Sequence, residues 1–353
     1  MKTATTNTAA YTWKNLRLAA VGLLLLAHLG LVLLQSSGWF PLWLSELSLF
    51  VPYYWVLPLL LLAPLLAVGL HWSLGVLALA SLLWFATSTM GMQWNMATPT
   101  ASDGTRLRVM TYNVKARDAK HRANGFEEIE NEVRSHQPDV VALQDANGWL
   151  PERSNAAPIE ARPLFGLPNV VVQGQYVLAS RYPLQQCETG LLTKTDPSHT
   201  YLRCSMQVGQ QSITVATAHF VSPRWALTAT KETLGTGLED WKQNVATRMA
   251  QAGGLVSDLI RQPRPLLVLG DLNSPPNSEA LALVQRLGLR DAFNEAGKGW
   301  GFTHGHSLNK GLDFLRIDHI LTSAEFAIAS STVGGSEASQ HNPVVAEIVL
   351  KPL

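Results

Sequence analysis

Seven side chains able to ligate a metal, donate a hydrogen bond or take a proton stand at the ends of apolar runs: Asn113, Asp145, His219, Asp271, Asn273, Asp318 and His341. The densest stretch is LLVLGDLNSPPNSE, Leu266–Glu279, where a short apolar run between Pro265 and Gly270 reads as a buried strand. Asp271 and Asn273 follow, and residues two apart on an extended chain point to the same side. A carboxylate and a carboxamide therefore leave the strand end together, at the carboxyl edge where open α/β sheets place ligands. An isolated D-x-N is more often a strand followed by an Asx turn. Recurrence reverses that reading, because loops at one edge of a sheet converge on one cleft.

The chemistry such a cleft supports is phosphoester hydrolysis. Asp145 supplies a hard oxygen ligand for Mg²⁺ or Mn²⁺. The metal draws charge from a phosphoryl oxygen and the leaving group. Asp271 takes a proton from the attacking water, while Asn273 donates to a phosphoryl oxygen or orients that water. His341, paired with Asp318, and His219 hold the equatorial oxygens as charge builds. The chain has no serine or cysteine nucleophile motif, no HExxH and no cysteine–histidine zinc spacing.

The elements that must position these groups follow from periodicity. LRVMTYNV (Leu107–Val114) reads as a strand ending near Asn113, and DVVALQDA (Asp139–Ala146) as a second that delivers Asp145. Gly125–His136 between them has helical spacing. Val170–Leu184, TYLRCSMQV and SITVATAHF alternate as strands do, the last presenting His219. Asn244–Ile260 is amphipathic and leads to the Leu266 strand; Ser278–Leu287 reads as a helix, and Arg316–Ser323 and Asn342–Leu350 as strands. Many strands with mixed connections and few helices point to two sheets packed face to face with helices outside. His304 and His306, in GFTHGHSL, are read first as surface histidines, with a specificity loop as the alternative.

From Leu107 to the carboxyl end, about 245 residues, the ordered motifs TYNV, VALQD, LASRYPL, TAHF, GDLNSPP, RIDHIL and SQHNPV resemble the endonuclease/exonuclease/phosphatase superfamily. That group includes pancreatic deoxyribonuclease, abasic-site endonucleases, neutral sphingomyelinases and inositol polyphosphate 5-phosphatases. The resemblance implies an α/β fold, a four-layer sandwich of two mixed β-sheets flanked by helices. It also implies divalent-metal dependence and cleavage without a covalent intermediate. Position by position, Asn113 matches the phosphate-site asparagine, Asp145 the metal carboxylate and His219 the phosphate-contacting histidine. Asp271 and Asn273 match the base and its partner, and Asp318 and His341 the aspartate–histidine pair. Arg248 and Gln251 match a helical R-x-x-Q signature, read as structural. Two positions depart from the family pattern: aspartate stands at 145 where glutamate is usual, and Gln340 replaces the aspartate of S-D-H, removing an anionic oxygen from the metal's surroundings.

The amino-terminal third differs in kind. Of 27 Lys and Arg and 26 Asp and Glu, residues 1–100 hold only Lys2, Lys14, Arg17 and Glu46, leaving 24 against 25 in the remainder. A net charge of −1 there lacks the basic excess of a protein that holds nucleic acid mainly through phosphates. The first hundred residues hold three apolar runs, Leu18–Leu34, Leu49–Leu70 and Trp72–Ala86, each near the ~20 residues that cross a bilayer. Tryptophans and tyrosines flank them as interfacial aromatics do. The expected organisation is a membrane region with three transmembrane helices over 1–92, a linker over 93–105 and a catalytic domain over 106–353. Lys2, Lys14 and Arg17 place the tail in the cytoplasm by the positive-inside rule, so three crossings leave the catalytic domain outside the cytoplasmic membrane; two crossings reverse that.

Cys187 and Cys204 fall in neighbouring strands about a turn-like DPSH, where a disulfide or two buried thiols are equally compatible with the pattern. The expected partners are the lipid bilayer and a phosphoester substrate, a lipid head group or nucleic acid, with no protein partner inferred. The alternatives are a nuclease acting on DNA or RNA, and a non-catalytic membrane module that binds phosphorylated ligands.

Overall fold

The computed structural model describes residues 3–95, 103–152, 157–306 and 311–352. The chain divides into two compact units, Met1–Met92 and Gln93–Leu353. In the second, chain order runs β1 (Gln93–Trp94), β2 (Thr105–Asn113), β3 (Val140–Gln144), β4 (Ile159–Ala161), β5 (Asn169–Gln173), β6 (Tyr176–Ser180), β7 (Leu184–Leu191) and β8 (Thr200–Val208). There follow β9 (Gln211–His219), β10 (Leu266–Asp271), β11 (Arg290–Asp291), β12 (Lys298–Gly299), β13 (Asp318–Thr322), β14 (Phe326–Val333) and β15 (Val344–Leu350).

They form a six-stranded sheet, β11-β13-β10-β9-β8-β7, and a seven-stranded sheet, β14-β15-β2-β3-β6-β5-β4. Each sheet has one parallel pair, β2 with β3 and β9 with β10. A parallel pair needs a crossover, and the crossovers carry the helices Glu127–Ser135 and Arg224–Glu232 with Leu234–Leu259. Ile129 and Val133 of the first pack with Met110, Tyr112 and Val141 on the outer face of the larger sheet. Ala252, Leu255 and Leu259 of the last pack with Ala216, Ala218, Leu266 and Val268 on the outer face of the smaller. The other strand faces, among them Leu107, Val109, Ala142, Val215, Leu267, Leu269 and Ile320, form the core between the sheets. The fold is thus the expected sandwich of two mixed sheets flanked by helices.

The period of two decides which residues reach the site. In β2 the inward row Leu107, Val109 continues to Thr111 and Asn113; in β10, Leu267 and Leu269 continue to Asp271. In β9, Ile213 and Val215 lead to Thr217 and His219. Each row is apolar in the core and polar where the parallel pairs end. The transition layer is Gln144, whose Nε2 donates to Thr217 Oγ1 (2.9 Å) and whose Oε1 accepts from Thr111 Oγ1 (3.3 Å), tying one sheet to the other. Gly270 is required by close approach, since a Cβ there would lie 2.0 Å from the Ala218 carbonyl oxygen.

Cys187 and Cys204 are joined by a disulfide between the antiparallel strands β7 and β8. The expected Val170–Leu184 strand is instead a hairpin, β5 and β6, turning at Gly174 with φ 55°. The linker expected at 93–105 begins inside the second unit, because Gln93 and Trp94 pair with Gly299 and Lys298; residues 96–102 lie outside the described residues.

In the first unit, Tyr11–Ser36 and Trp72–Thr89 are long and apolar enough to cross a membrane. The run Leu49–Leu70 is not the single helix expected. It holds the 3₁₀ turn Tyr53–Trp55 and the helix Leu57–Ala67, and it is bent by 62° from the helix Leu42–Ser48 that precedes it. Pro52 explains the break, since it has no N–H to donate and disfavours helical backbone at the residue before it. Among the described residues two helices are therefore long and apolar enough to cross a membrane, or three if the bent pair is one span.

Candidate active site

Asp271 is the convergence point. Its direct cross-strand neighbours are His219 of β9 and Asp318 of β13. From the other sheet, the Asn113 amide donates to Asp271 Oδ2 at 2.8 Å. His219 Nε2 lies 3.5 Å and His341 Nε2 3.8 Å from that same oxygen. The Asn273 N–H donates to Oδ1 at 2.9 Å, closing the turn that the sequence GDLN sets up. Asp271, Asp318, His341, Asn113 and Asn273 are all buried.

Each neighbour is itself held. His219 Nδ1 bonds Gln175 Oε1 at 2.6 Å, and its backbone N–H donates to the Tyr176 hydroxyl, which donates onward to the Thr200 carbonyl. Asn273 has left-handed backbone, φ 46°; an amide N–H donates to Phe220 O and its own carbonyl accepts from Arg248 Nη1 at 3.1 Å. Arg248 lies over Trp241, and Gln251 Oε1 accepts from the Val221 N–H. Both residues of the R-x-x-Q signature thus secure the loops beneath the site.

His341 Nδ1 pairs with Asp318 Oδ2 at 2.9 Å. Burial pushes the Asp318 carboxyl up to about 7, with the Thr303 hydroxyl acting against it. Burial also pushes His341 down to about 4, opposed by Asp271 and assisted by Lys115. A buried pair of this kind titrates as one unit. Between those limits it carries one shared proton, and His341 then presents Nε2–H towards the cleft.

Asp145 stands at the cleft rim with left-handed backbone, φ 53°. Burial works to raise its carboxyl, yet the Lys115 ammonium, 2.8 Å from Oδ2, outweighs burial and holds it below the usual range. Gln340 is held by its neighbours: its Nε2 donates to Asp118 Oδ2 (2.7 Å) and its Oε1 accepts from Arg224 (3.2 Å). A groove of about 640 Å³ opens here, lined by Lys115, Asp145, Lys120, Arg224, Trp225 and Gln340. A larger cavity of about 800 Å³ lies at the far end of the same strands, beside Arg108 and Arg181. Arg108 and Arg181 are paired with Glu347 and Asp139, and Arg106 lines the same cavity.

The sequence reading placed His304 on the surface, and the structure corrects it. His304 is buried, stacks on His341 with ring centroids 4.3 Å apart and bonds the Gln340 carbonyl through Nδ1. Burial and His341 together hold it down at about 3, so it faces its neighbour as a neutral ring. His306 is tied to Asp313. The signal available in sequence was the spacing of His304 before RIDHIL, which gives no hint of the cross-bridge to His341. Lys115, Gln175 and Tyr176 had no motif to mark them.

Two sets of ligands bear on a hard divalent ion: the single carboxylate of Asp145, and the one cluster of three found among the described residues. The Asp145 carboxylate already faces the Lys115 ammonium, so a divalent ion bound there would have to displace it. The ligating atoms of Asp271, Asp318 and His341 lie within 4.8 Å of one another. In the second group, however, Asp271 accepts from Asn113 and Asn273, and His341 is bonded to Asp318, which leaves less of each for a metal.

A sandwich of two mixed sheets with an acid–histidine cluster at the ends of its parallel pairs is a phosphoesterase and nuclease fold. The profile of the Endonuclease/Exonuclease/phosphatase family matches residues 110–341, and the chain belongs to that family. Among solved structures, it is similar to an endonuclease/exonuclease/phosphatase from Beutenbergia cavernae, at 19% identity over 70% of this chain and 72% of that one, TM-score 0.47. It is also similar to truncated Caenorhabditis elegans TDP2 (18%, 69% and 97%, TM-score 0.49) and to D. rerio TDP2 complexed with a single-strand DNA product (16%, 69% and 99%, TM-score 0.49). No curated protein matches the sequence.

Proposed function

We propose that the protein is a membrane-anchored, divalent-metal-dependent phosphoester hydrolase whose catalytic domain faces away from the cytoplasm. One observation carries the hydrolase reading: Asn113, His219 and His341, from three separate strand ends, surround a single carboxylate oxygen of Asp271. Asp271 is the base that takes the water's proton, fixed in orientation by Asn113 and by the Asn273 N–H. His341, with the shared proton on its pair with Asp318, and His219 donate to phosphoryl oxygens as charge develops. Asn113 and Asn273 line the phosphate site. Asp145 would hold a divalent ion, which when bound would supply Lewis acidity toward a phosphoryl oxygen.

The anchored reading draws on the first unit. Arg17 donates to the Leu66 carbonyl at 2.7 and 2.9 Å, while Gln35, eighteen residues on, bonds Ser48 and Tyr53. Eighteen helical residues span roughly 27 Å, close to a bilayer core. The chain from Tyr53 to Leu66 therefore returns alongside the Arg17–Gln35 part of the first helix, which supports three crossings. A disulfide persists in oxidising compartments, which favours the same side for the catalytic domain. The anchor favours a substrate in or near the bilayer, such as a lipid head group, because tethering raises local concentration.

The test is turnover of bis-nitrophenyl phosphate by the full-length protein in detergent, with Mg²⁺, beside Asp271→Ala and His341→Ala. Turnover by the wild type alone supports the reading. Equal turnover by all three, or none from any, favours a phosphate-binding module. A panel of phospholipid and nucleic-acid substrates then separates a lipid phosphodiesterase from a nuclease.

A further inference from the structure

None of the sequence motifs singles out Lys115, yet it enters the cleft beside the expected metal carboxylate. Its backbone is left-handed, φ 45°, as is that of Asp145. Non-glycine residues persist in that region where their surroundings fix them, and such residues cluster at functional sites. Both are fixed here. The Lys115 N–H donates to Asn113 Oδ1 (3.2 Å), and the flanking N–H groups of Val114 and Ala116 donate to the carbonyls of Gln144 (3.0 Å) and Asp145 (2.9 Å). The loops after β2 and β3 are thereby stitched together, and Lys115 Nζ meets Asp145 Oδ2 at 2.8 Å with the two side chains 23% and 29% exposed.

We infer that Lys115 is a resident cation that competes with the divalent ion for Asp145 and releases it to a phosphate-bearing ligand, so that metal and phosphate bind as a pair. This rests on the reading of Asp145 as the metal carboxylate. An ammonium and a divalent ion repel, and both need the same oxygen. Lys115 with Asp145 is neutral; a divalent ion added alone leaves two uncompensated positive charges, and a phosphate dianion arriving with it restores neutrality. The lysine stem is flexible, so the ammonium can leave Asp145 for a phosphoryl oxygen without moving the backbone. Partial exposure of the ion pair keeps it weak enough to be exchanged. Linkage then requires that each ligand tighten the other by the same factor.

The experiment measures Mn²⁺ binding to the full-length protein in detergent by electron paramagnetic resonance, with and without inorganic phosphate. The wild type is expected to bind Mn²⁺ weakly alone and roughly tenfold more tightly with phosphate, within the usual range of coupling. Lys115→Met is expected to bind Mn²⁺ alone about tenfold more tightly than wild type and to lose most of the phosphate effect, while Lys115→Arg keeps the wild-type pattern. Equal Mn²⁺ affinity in wild type and Lys115→Met, or phosphate coupling that survives in Lys115→Met, overturns the inference. Should Lys115→Met fail to fold, absence of coupling in the wild type overturns it without any variant. Hydrolysis with no coupling leaves the hydrolase reading standing and this one fallen; coupling lost in Lys115→Met with no turnover does the reverse.

Discussion

Asn113 and Asp271 lie 158 residues apart, on different sheets, and the amide of one donates to the carboxylate of the other at 2.8 Å. This bond fixes Asp271 Oδ2 at the seam of the sandwich, where both histidines can approach it. Asp271→Asn preserves shape and removes the base, so kcat is expected to fall by about 10²–10⁴-fold with little change in melting temperature. Asn113→Leu leaves the carboxylate without its donor in a buried setting, at a cost of about 1–3 kcal/mol. Thermal melts of both variants beside turnover numbers check the contrast: the first loses rate and keeps stability, the second loses both.

The Asp318–His341 pair makes a pH prediction. Asp318 sits at about 7 in the folded protein, above its ordinary value of 3.8, so the fold favours the protonated carboxyl. The stability from that preference is complete below pH 4 and disappears as pH rises through 7. His341, held down at about 4, contributes in the opposite sense: its stability is present above 6.5 and is lost as pH falls through 4. Between about pH 4 and 7 the pair keeps the proton that makes His341 Nε2 a donor. Binding of sulfate, whose charge is constant there, is expected to weaken as pH rises above 7, by up to about tenfold per unit. Asp318→Asn is expected to flatten the profile. If Asp318 instead binds the metal, protons compete with the ion and Mn²⁺ affinity rises with pH through 7. Calorimetry with each ligand separates the two.

Much of this was legible in the chain because two-residue periodicity carries an apolar row into a polar end. Leu267, Leu269 and Asp271 form one such row, and Val215, Thr217 and His219 another. The helix between β2 and β3 was equally plain from Ile129 and Val133, both buried against the sheet. What escaped depends on contacts between distant segments. Lys115 looks like any surface lysine until Asp145, thirty residues on, adopts left-handed backbone and meets it. His304 is drawn inward by a bridge to His341, a pairing across 37 residues with no local trace. The bend before Leu57–Ala67 left no trace in the pattern, because hydropathy sums over Pro52, whereas the missing N–H breaks the helix there.

The disulfide carries its own prediction. Cys187 and Cys204 are separated by 17 residues, and closing a loop of that length stabilises a fold by about 3 kcal/mol in the chain-entropy account. A Cys187→Ser, Cys204→Ser double variant is expected to melt at lower temperature than the oxidised protein. Its stability should match that of wild type measured in dithiothreitol. Equal stability of the oxidised wild type and the double variant would show that the strands β7 and β8 hold without the link.

The same two cysteines join the compartment to the topology. With the Arg17 end in the cytoplasm, an odd number of crossings exports the catalytic domain and an even number retains it. The bent pair decides the parity, and Arg17 bonding Leu66 while Gln35 bonds Tyr53 favours its crossing. A phosphatase reporter fused after Leu353 is therefore expected to be active, and the cysteines of protein taken directly from cells are expected to resist maleimide until reduced. An inactive reporter with freely alkylated thiols would place the domain in the cytoplasm and reduce the crossings to two. Changing Pro52 to Ala tests the hinge itself, because restoring a straight helix should leave the reporter result unchanged if the pair already spans and alter it if the pair is re-entrant.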